Sequence, residues 1–403
     1  MKMKFLWLLP CLLLLAGCSK KSEVLDGRDG GYEKGEYADE YASGGAGGYG
    51  MGGMGIGDGG QNDALAGMVT AGEWRDLDNW LFWGNVMNNQ DYYGYTDGWS
   101  FFTNNRVAVR VRTSGDEAVC GAKVQLKVAG ELHWEAVTDN QGECNLWYSP
   151  YQRFNLSDGS ALAVSVEGVE QAGPVQLTAW RDEQVTWNEY TAGSKNLTGV
   201  DIAFIVDATG SMGDEIDFLK DDVQDIIGRM DVQSNVRTAA LFYRDLADDY
   251  VTRANNFTSS IASTAAFIRA QEADGGGDWE EAVDVAFEKS LQDLSWNQDA
   301  RVKLAFWFLD APPHREGQII SSIQRSVKLY ASKGIRLIPV AASGIDKCTE
   351  ILLRNYAILT DGTYVFITND SGVGDEHIEA TVGEYEVEAL NDLILRLINE
   401  YTR

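Results

Sequence analysis

The segment VDIAFIVDATGSMG, residues 200–213, joins a mostly apolar run to a short polar turn. Residues 200–206 predict a buried strand, because short apolar runs bounded by turn residues are typical of strands in parallel sheets. Asp207, Thr209 and Ser211 follow at alternate positions, and a helical pattern begins near Asp214. Alternating side chains of a tight turn can converge on one point, so the segment predicts an oxygen-donor site directly after a strand.

The same alternation of apolar strands and amphipathic helices continues over residues 196–403. It predicts a doubly wound α/β fold with a mostly parallel sheet flanked by helices. Strands are predicted at residues 200–206, 236–243, 302–309, 335–341 and 363–367, and helices at residues 214–230, 259–271, 279–291, 319–332 and 387–401. Ligands of such sheets bind beyond the carboxyl ends of the strands, where the polar turn lies.

Three motifs in this region resemble those of the von Willebrand factor type A family. Asp207, Thr209 and Ser211 match D-x-[ST]-x-S, the pattern of that family's metal-ion-dependent adhesion site. The apolar run that ends in Asp310-Ala-Pro-Pro resembles the family's strand-then-aspartate position, which implies Asp310 as a further ligand, through water. The segment GGGDWEE, residues 275–281, resembles a G-G-G-D-x-P-E variant and implies that Asp278 replaces the usual threonine; whether Asp278 coordinates directly stays open.

The donors implied in this way are all oxygens, which favours magnesium, with manganese or calcium as alternatives. D-x-[ST]-x-S alone occurs often by chance, and an aspartate before a helix is often only an N-cap. The three motifs in order, with Tyr243-Arg244-Asp245 after the second strand, favour a metal site. A later polar loop is interpreted as solvated, with a second cation site as the alternative; it carries Asp370, Asp375, Glu376 and His377.

The N-terminal residues 1–18 are interpreted as a secretion signal that ends in a bacterial lipobox. Lys2 and Lys4 precede an apolar run, which is too short to span a bilayer, and Leu15-Ala16-Gly17-Cys18 closes it. Resemblance to this class implies a lipidated Cys18 and anchoring to a membrane, with the outer membrane of a bacterial envelope favoured. The folded domains are then periplasmic or surface-exposed.

Three further segments are predicted before the α/β domain. Residues 19–73 are rich in glycine and predict a disordered tether, and the aromatic residues of 74–105 predict an N-terminal brace. Residues 106–192 alternate apolar and polar side chains and predict a small antiparallel β-sandwich. A G-A-x-V-x-L strand at residues 121–126 and a T-D-x-x-G turn at residues 138–142 resemble the carboxypeptidase-regulatory or transthyretin-like family. Cys120 and Cys144 form either a disulfide or two buried thiols, and Cys348 is interpreted as a core residue of a helix.

The chain carries 61 acidic and 33 basic residues, a formal charge of -28, which disfavours nucleic acid as a partner. No histidine lies in a recognisable setting beside a serine or cysteine, so an enzyme is not predicted. The favoured function is metal-dependent protein–protein interaction or adhesion, in which an acidic side chain of the partner completes the metal coordination. The alternatives are a structural envelope subunit with a purely stabilising cation and a metal-assisted hydrolase that uses His314.

Overall fold

The computed structural model describes residues 69–154, 156, 159, 161–230, 235–369 and 378–403. The predicted signal segment, Cys18, nearly all of the predicted tether and the polar loop with Asp370, Asp375, Glu376 and His377 lie outside the described residues. Among the described helices, none has the length and apolar character needed to cross a bilayer.

The described elements comprise one large sheet, two small sheets and the helices around them. In chain order the strands are β1 (Thr70–Trp74), β2 (Arg106–Arg112), β3 (Lys123–Val128), β4 (Glu131–Val137), β5 (Glu143–Trp147), β6 (Leu162–Val166), β7 (Val169–Glu170), β8 (Trp187–Thr191), β9 (Val200–Asp207), β10 (Val236–Tyr243), β11 (Thr252–Thr258), β12 (Val302–Leu309), β13 (Ile335–Ala341), β14 (Tyr364–Ile367) and β15 (Glu388–Ala389). The helices are α1 (Trp80–Asn88), α2 (Gln90–Trp99), α3 (Gly213–Gly228), α4 (Ile261–Arg269), α5 (Val283–Gln292), α6 (Gly317–Ser332), α7 (Lys347–Leu359) and α8 (Leu390–Thr402).

The large sheet has the order β11-β10-β9-β12-β13-β14-β1-β15, and the strands from β10 to β14 run parallel. Val200 of β9 lies beside Val236 of β10 and Val302 of β12. This register brings the carboxyl ends of the three central strands to the same edge of the sheet. The loops that follow β9, β10 and β12 therefore meet there.

Apolar side chains cover both faces of this sheet, as a doubly wound fold requires. Phe204 and Phe306 belong to a core shared with α3, α4 and α8, whereas Ile205 and Trp307 face the core that contains α5, α6 and α7. The α/β fold is thereby confirmed. Several elements differ from the sequence prediction. No bounds were predicted for β11 or α7, and α5 and α8 begin at Val283 and Leu390 rather than at residues 279 and 387.

The prediction of a disordered tether is wrong for its C-terminal residues, because residues 70–73 belong to β1. This strand pairs antiparallel with β14 on one side and β15 on the other. A side chain at Gly72 would place its Cβ only 2.6 Å from the ring of Phe366, so this glycine permits close packing instead of flexibility. The large sheet is therefore completed by a strand from the N-terminal side of the β-domain.

The predicted β-domain consists of a three-stranded sheet, β5-β2-β8, and a four-stranded sheet, β4-β3-β6-β7. Most of its pairs are antiparallel, but β2 and β8 run parallel. The resemblance to the transthyretin-like family stays a prediction. Arg106 donates to Asn145 (2.7 Å), and the Asn145 side-chain amide donates to Asp361 (2.7 Å), so a buried polar chain joins this domain to the large sheet.

The disulfide alternative for Cys120 and Cys144 is wrong, since both are free thiols. Cys144 points into the core of the β-domain, whereas the sulfur of Cys120 lies 3.7 Å from the backbone oxygen of Arg301 in the α/β domain. The two sulfurs thus have different surroundings. Cys348 is buried in α7, as predicted.

The aromatic segment packs between the two domains around a buried ion cluster. Arg354 of α7 donates to both carboxylate oxygens of Asp76, at 2.6 and 2.9 Å, and lies 3.3 Å from Glu350. The guanidinium also lies over the ring of Trp83. The side chains of this cluster are 0–1% exposed, so Arg354 neutralises carboxylates that water cannot reach.

We predict that Arg354→Ala lowers the free energy of unfolding by about 3–5 kcal/mol, because it leaves Asp76 buried without a cation, whereas Glu350 keeps its ion pair with Lys347. Urea denaturation measures the change. Arg229→Ala is the control, since Arg229 pairs with Asp225 and Asp392 at the surface and should cost less than about 1 kcal/mol. Equal decreases in the free energy of unfolding for the two variants would show that the buried cluster stabilises the protein no more than a surface ion pair does.

Candidate metal centre

The first part of the site is the turn after β9. Asp207 is the last residue of that strand and is fully buried. The backbone N–H and the hydroxyl of Thr209 both donate to Asp207 Oδ1, at 3.0 and 2.7 Å. A single 3₁₀ turn, Gly210–Met212, then leads into α3. Asp207 Oδ2 has no hydrogen-bond partner and is left free to accept a ligand.

The second part is Asp310, which follows β12. Because β12 and β9 are parallel neighbours, Asp310 reaches the same edge of the sheet as Asp207. The hydroxyl of Ser211 donates to the Asp310 carboxylate, which connects the two loops. Asp310 is buried, and its Oδ1 is also without a partner.

A glycine loop before α5 closes over this turn. Gly210 N–H donates to the Gly275 oxygen (3.3 Å), and Asp274 N–H donates to the Ala208 oxygen (3.1 Å). Gly276 has a φ of 76°, and a Cβ there would lie 3.3 Å from both Thr209 Cβ and Glu281 Oε1. The positive φ and the short distances to these two side chains both favour glycine at this position.

Glu281 is the site residue that the sequence analysis missed. Its N–H donates to the Pro312 oxygen (3.0 Å), which places it beside the loop that carries Asp310. Its side chain is 3% exposed, and Oε2 has no hydrogen-bond partner. Glu281 is the last residue of the GGGDWEE segment, so the glutamate that ends the quoted family variant was the available signal.

The prediction that Asp278 joins the Asp207 group stays a prediction. Asp278 is exposed and lies with Asp245 and His314. The loop remains irregular until Val283, and Glu281, three residues after Asp278, is buried. His314 Nε2 lies 3.0 Å from Asp245 Oδ1, and hydrogen bonding and the charge of Asp245 raise the His314 pKa although burial opposes this rise.

The three inward carboxyl groups have unfavourable surroundings for negative charge. Burial, followed by the charge of Asp310, raises the pKa of Asp207 to about 7, although hydrogen bonds from Thr209 and Tyr243 oppose the rise. Burial and the neighbouring carboxylates, Asp207 foremost, raise the pKa of Glu281 to about 9. Burial also raises the pKa of Asp310. Ionisation of all three groups therefore requires a positive charge close to them.

The nearby arginine does not supply that charge. Arg244 donates through Nε to the Ala208 oxygen and through Nη2 to the Glu272 oxygen, at 3.0 and 2.9 Å. It also lies over the ring of Tyr250. Backbone oxygens and an aromatic ring thus hold this guanidinium, which fixes the two loops relative to each other.

The unpaired oxygens fit a hard divalent cation. Asp207 Oδ2, Asp310 Oδ1 and Glu281 Oε2 are buried acceptors without donors, and the hydroxyls of Thr209 and Ser211 lie on the same turn. Oxygen-only donor sets suit magnesium, manganese and calcium. The cation would neutralise the carboxylates, and these five side chains are the ones able to hold it.

Comparison with known proteins agrees with this architecture. Residues 201–373 match the family model of the von Willebrand factor type A domain. An ariadne-like RING finger protein of Acanthamoeba polyphaga mimivirus is 28% identical to the chain over 214 residues. That match covers 50% of the chain but only 20% of the viral protein's length.

Two structures of proximal thread matrix protein 1 from the mussel byssus are also similar, each at 18% identity, with TM-scores of 0.30 and 0.31. The matches cover 41% and 42% of this chain and 40% and 41% of the mussel chains. One of the two has a zinc-occupied metal-ion-dependent adhesion site, and that metal is a property of the mussel protein.

We predict that the metal-free protein loses stability between about pH 5 and about pH 8 more steeply than Asp207→Asn does. The Asp207 pKa is about 7 in the folded chain, against a reference value of 3.8. Between these values the folded state binds the extra proton, so the free energy of unfolding falls as pH rises. Asn cannot ionise and lacks this contribution.

Urea unfolding in EDTA at the two pH values measures the difference. Magnesium added at the higher pH should raise the stability of the wild type more than that of the variant. Parallel pH profiles for the two proteins would contradict the assignment of a strongly perturbed carboxylate at this position.

Proposed function

We propose that residues 201–373, which match the family model of the von Willebrand factor type A domain, use a bound divalent cation to hold a protein partner. The observation that carries the proposal is the group of three buried carboxylates, each with one oxygen that lacks a hydrogen-bond donor. A cation satisfies these oxygens from one side and keeps an outward coordination position for an incoming ligand. Magnesium is the proposed ion, with manganese and calcium as alternatives.

The proposed ligand is an oxygen of the partner, most simply a carboxylate side chain that completes the coordination shell. The oxygen-only donor set of the site supports this choice, because hard divalent cations held by such donors accept further oxygen ligands.

The surface around the site supports a protein partner. Trp279 follows Asp278 in the loop before α5 and is 43% exposed, and Leu246 follows Asp245 and is 58% exposed. Large apolar side chains at the surface beside polar loops are typical of interaction sites. We propose that they form apolar contacts around the metal-mediated bond, and that the protein acts by binding and not by turnover.

We also propose that the chain is a lipoprotein of a bacterial envelope, anchored through Cys18. The lipobox-like Leu15-Ala16-Gly17-Cys18 after an apolar run supports this assignment. In this arrangement the site faces the periplasm or the cell exterior.

We predict that the protein captures its partner from envelope extracts in magnesium and releases it in EDTA, and that Asp207→Ala abolishes the capture. The reason is that the variant lacks the carboxylate on which the first loop of the site is built. Affinity purification followed by mass spectrometry identifies the captured protein. Asp217→Ala is the matched control, since Asp217 lies on α3 and is 72% exposed.

Capture that is equal in EDTA and in Asp207→Ala would contradict metal-mediated binding. If magnesium then still raised the melting temperature of the wild type, the cation would serve stability alone and the structural-subunit alternative would replace the proposal.

A further inference from the structure

A second group of metal-ligating side chains lies next to the centre described above. Asp245 follows β10, Asp278 lies in the loop before α5, and His314 follows β12. One ligand atom from each residue lies within 4.8 Å of those of the other two. Three separate loops thus place an imidazole and two carboxylates around one point.

The distances within this group suit a metal ion. His314 Nε2 and Asp245 Oδ1 are 3.0 Å apart. Two ligands that each bind one zinc ion at about 2.0–2.2 Å are separated by about 3.3–3.6 Å at tetrahedral angles. A small outward movement of the two side chains would therefore make room for a cation in place of the shared proton.

Hydrogen bonds hold the loops of this group in place. Asp248 accepts from the backbone N–H of Asp245 (3.1 Å) through Oδ2. The same carboxylate accepts from Gly276 N–H, at 3.0 and 3.2 Å to its two oxygens. Asp248 therefore joins the loop after β10 to the glycine loop, and the ligand positions depend on fixed backbone.

Glu281 supplies a second observation. Its Oε2 is buried without a donor, and the residue is 3% exposed. Glu281 follows Asp278 in the same loop, and its backbone N–H donates to the oxygen of Pro312, shortly before His314. A residue with a buried, unpaired carboxylate oxygen therefore connects the loop segments that carry Asp278 and His314.

We propose that Asp245, Asp278 and His314 form a second divalent-cation site that selects zinc or a similar transition-metal ion. Imidazole nitrogen with carboxylate oxygen suits zinc, cobalt and manganese, whereas magnesium and calcium prefer oxygen alone. The two adjacent sites thus differ in donor chemistry and can hold different ions at the same time. This inference does not depend on partner binding at the first site.

Cobalt binding to the metal-free full chain in excess magnesium tests the proposal, because imidazole coordination gives Co²⁺ a characteristic visible absorption. The wild type should bind one Co²⁺, and zinc should displace it. His314→Gln and Asp278→Asn should each weaken binding at least about ten-fold, as disruption of a metal's ligand environment does. His133→Gln, which changes a histidine of β4 in the β-domain, should bind as the wild type does.

Unchanged cobalt affinity and absorption in His314→Gln would overturn the second site, and so would failure of the wild type to bind cobalt in magnesium. Asp310→Asn separates this result from the proposed function. This variant should lose magnesium-dependent partner capture and keep the cobalt absorption spectrum. Loss of both properties in a folded Asp310→Asn protein would overturn the proposal that the second site binds its ion independently of the first.

Discussion

Carboxylates that are buried at the same edge of a parallel sheet repel one another unless a positive charge lies among them. In this protein the parallel register of β9 and β12 brings Asp207 and Asp310 together. The hydrogen bond from the Glu281 N–H to the Pro312 oxygen places a third carboxylate beside them. The available donors satisfy only part of the group, since each residue keeps one unpaired oxygen. The loop geometry, the perturbed pKa values and the proposed cation all follow from this arrangement.

Much of this arrangement could be predicted from the sequence. The apolar runs gave the central strands closely, because a strand that is buried on both faces leaves a continuous apolar signal. The D-x-[ST]-x-S turn located Asp207, and the aspartate after the next apolar run located Asp310. Glu281 was missed because spacing in a glycine loop does not determine which carboxylate is buried. That choice depends on positive φ angles at Gly275 and Gly276 and on a long-range contact to Pro312.

The N-terminal side shows a second limit of local reasoning. Gly72 belongs to a glycine-rich neighbourhood that is typical of a tether, yet β1 packs within the large sheet between β14 and β15. The rings of Phe366 and Tyr385, both distant in sequence, explain why a glycine is needed there. Together with the Asp76–Arg354 ion pair and the chain from Arg106 to Asp361, this strand makes the metal-binding domain continuous with the segments before it.

The most direct test of the central claim is anomalous diffraction from crystals grown with manganese, which replaces magnesium in oxygen-donor sites and can be located by its own signal. We expect an anomalous peak at roughly 2.2 Å from Asp207 Oδ2 or from Asp310 Oδ1. If a water molecule lies between Asp310 and the ion, the peak is expected further from Asp310 by the length of that bridge. Ordered carboxylates with no peak between them, at manganese concentrations that saturate binding in solution, would contradict it.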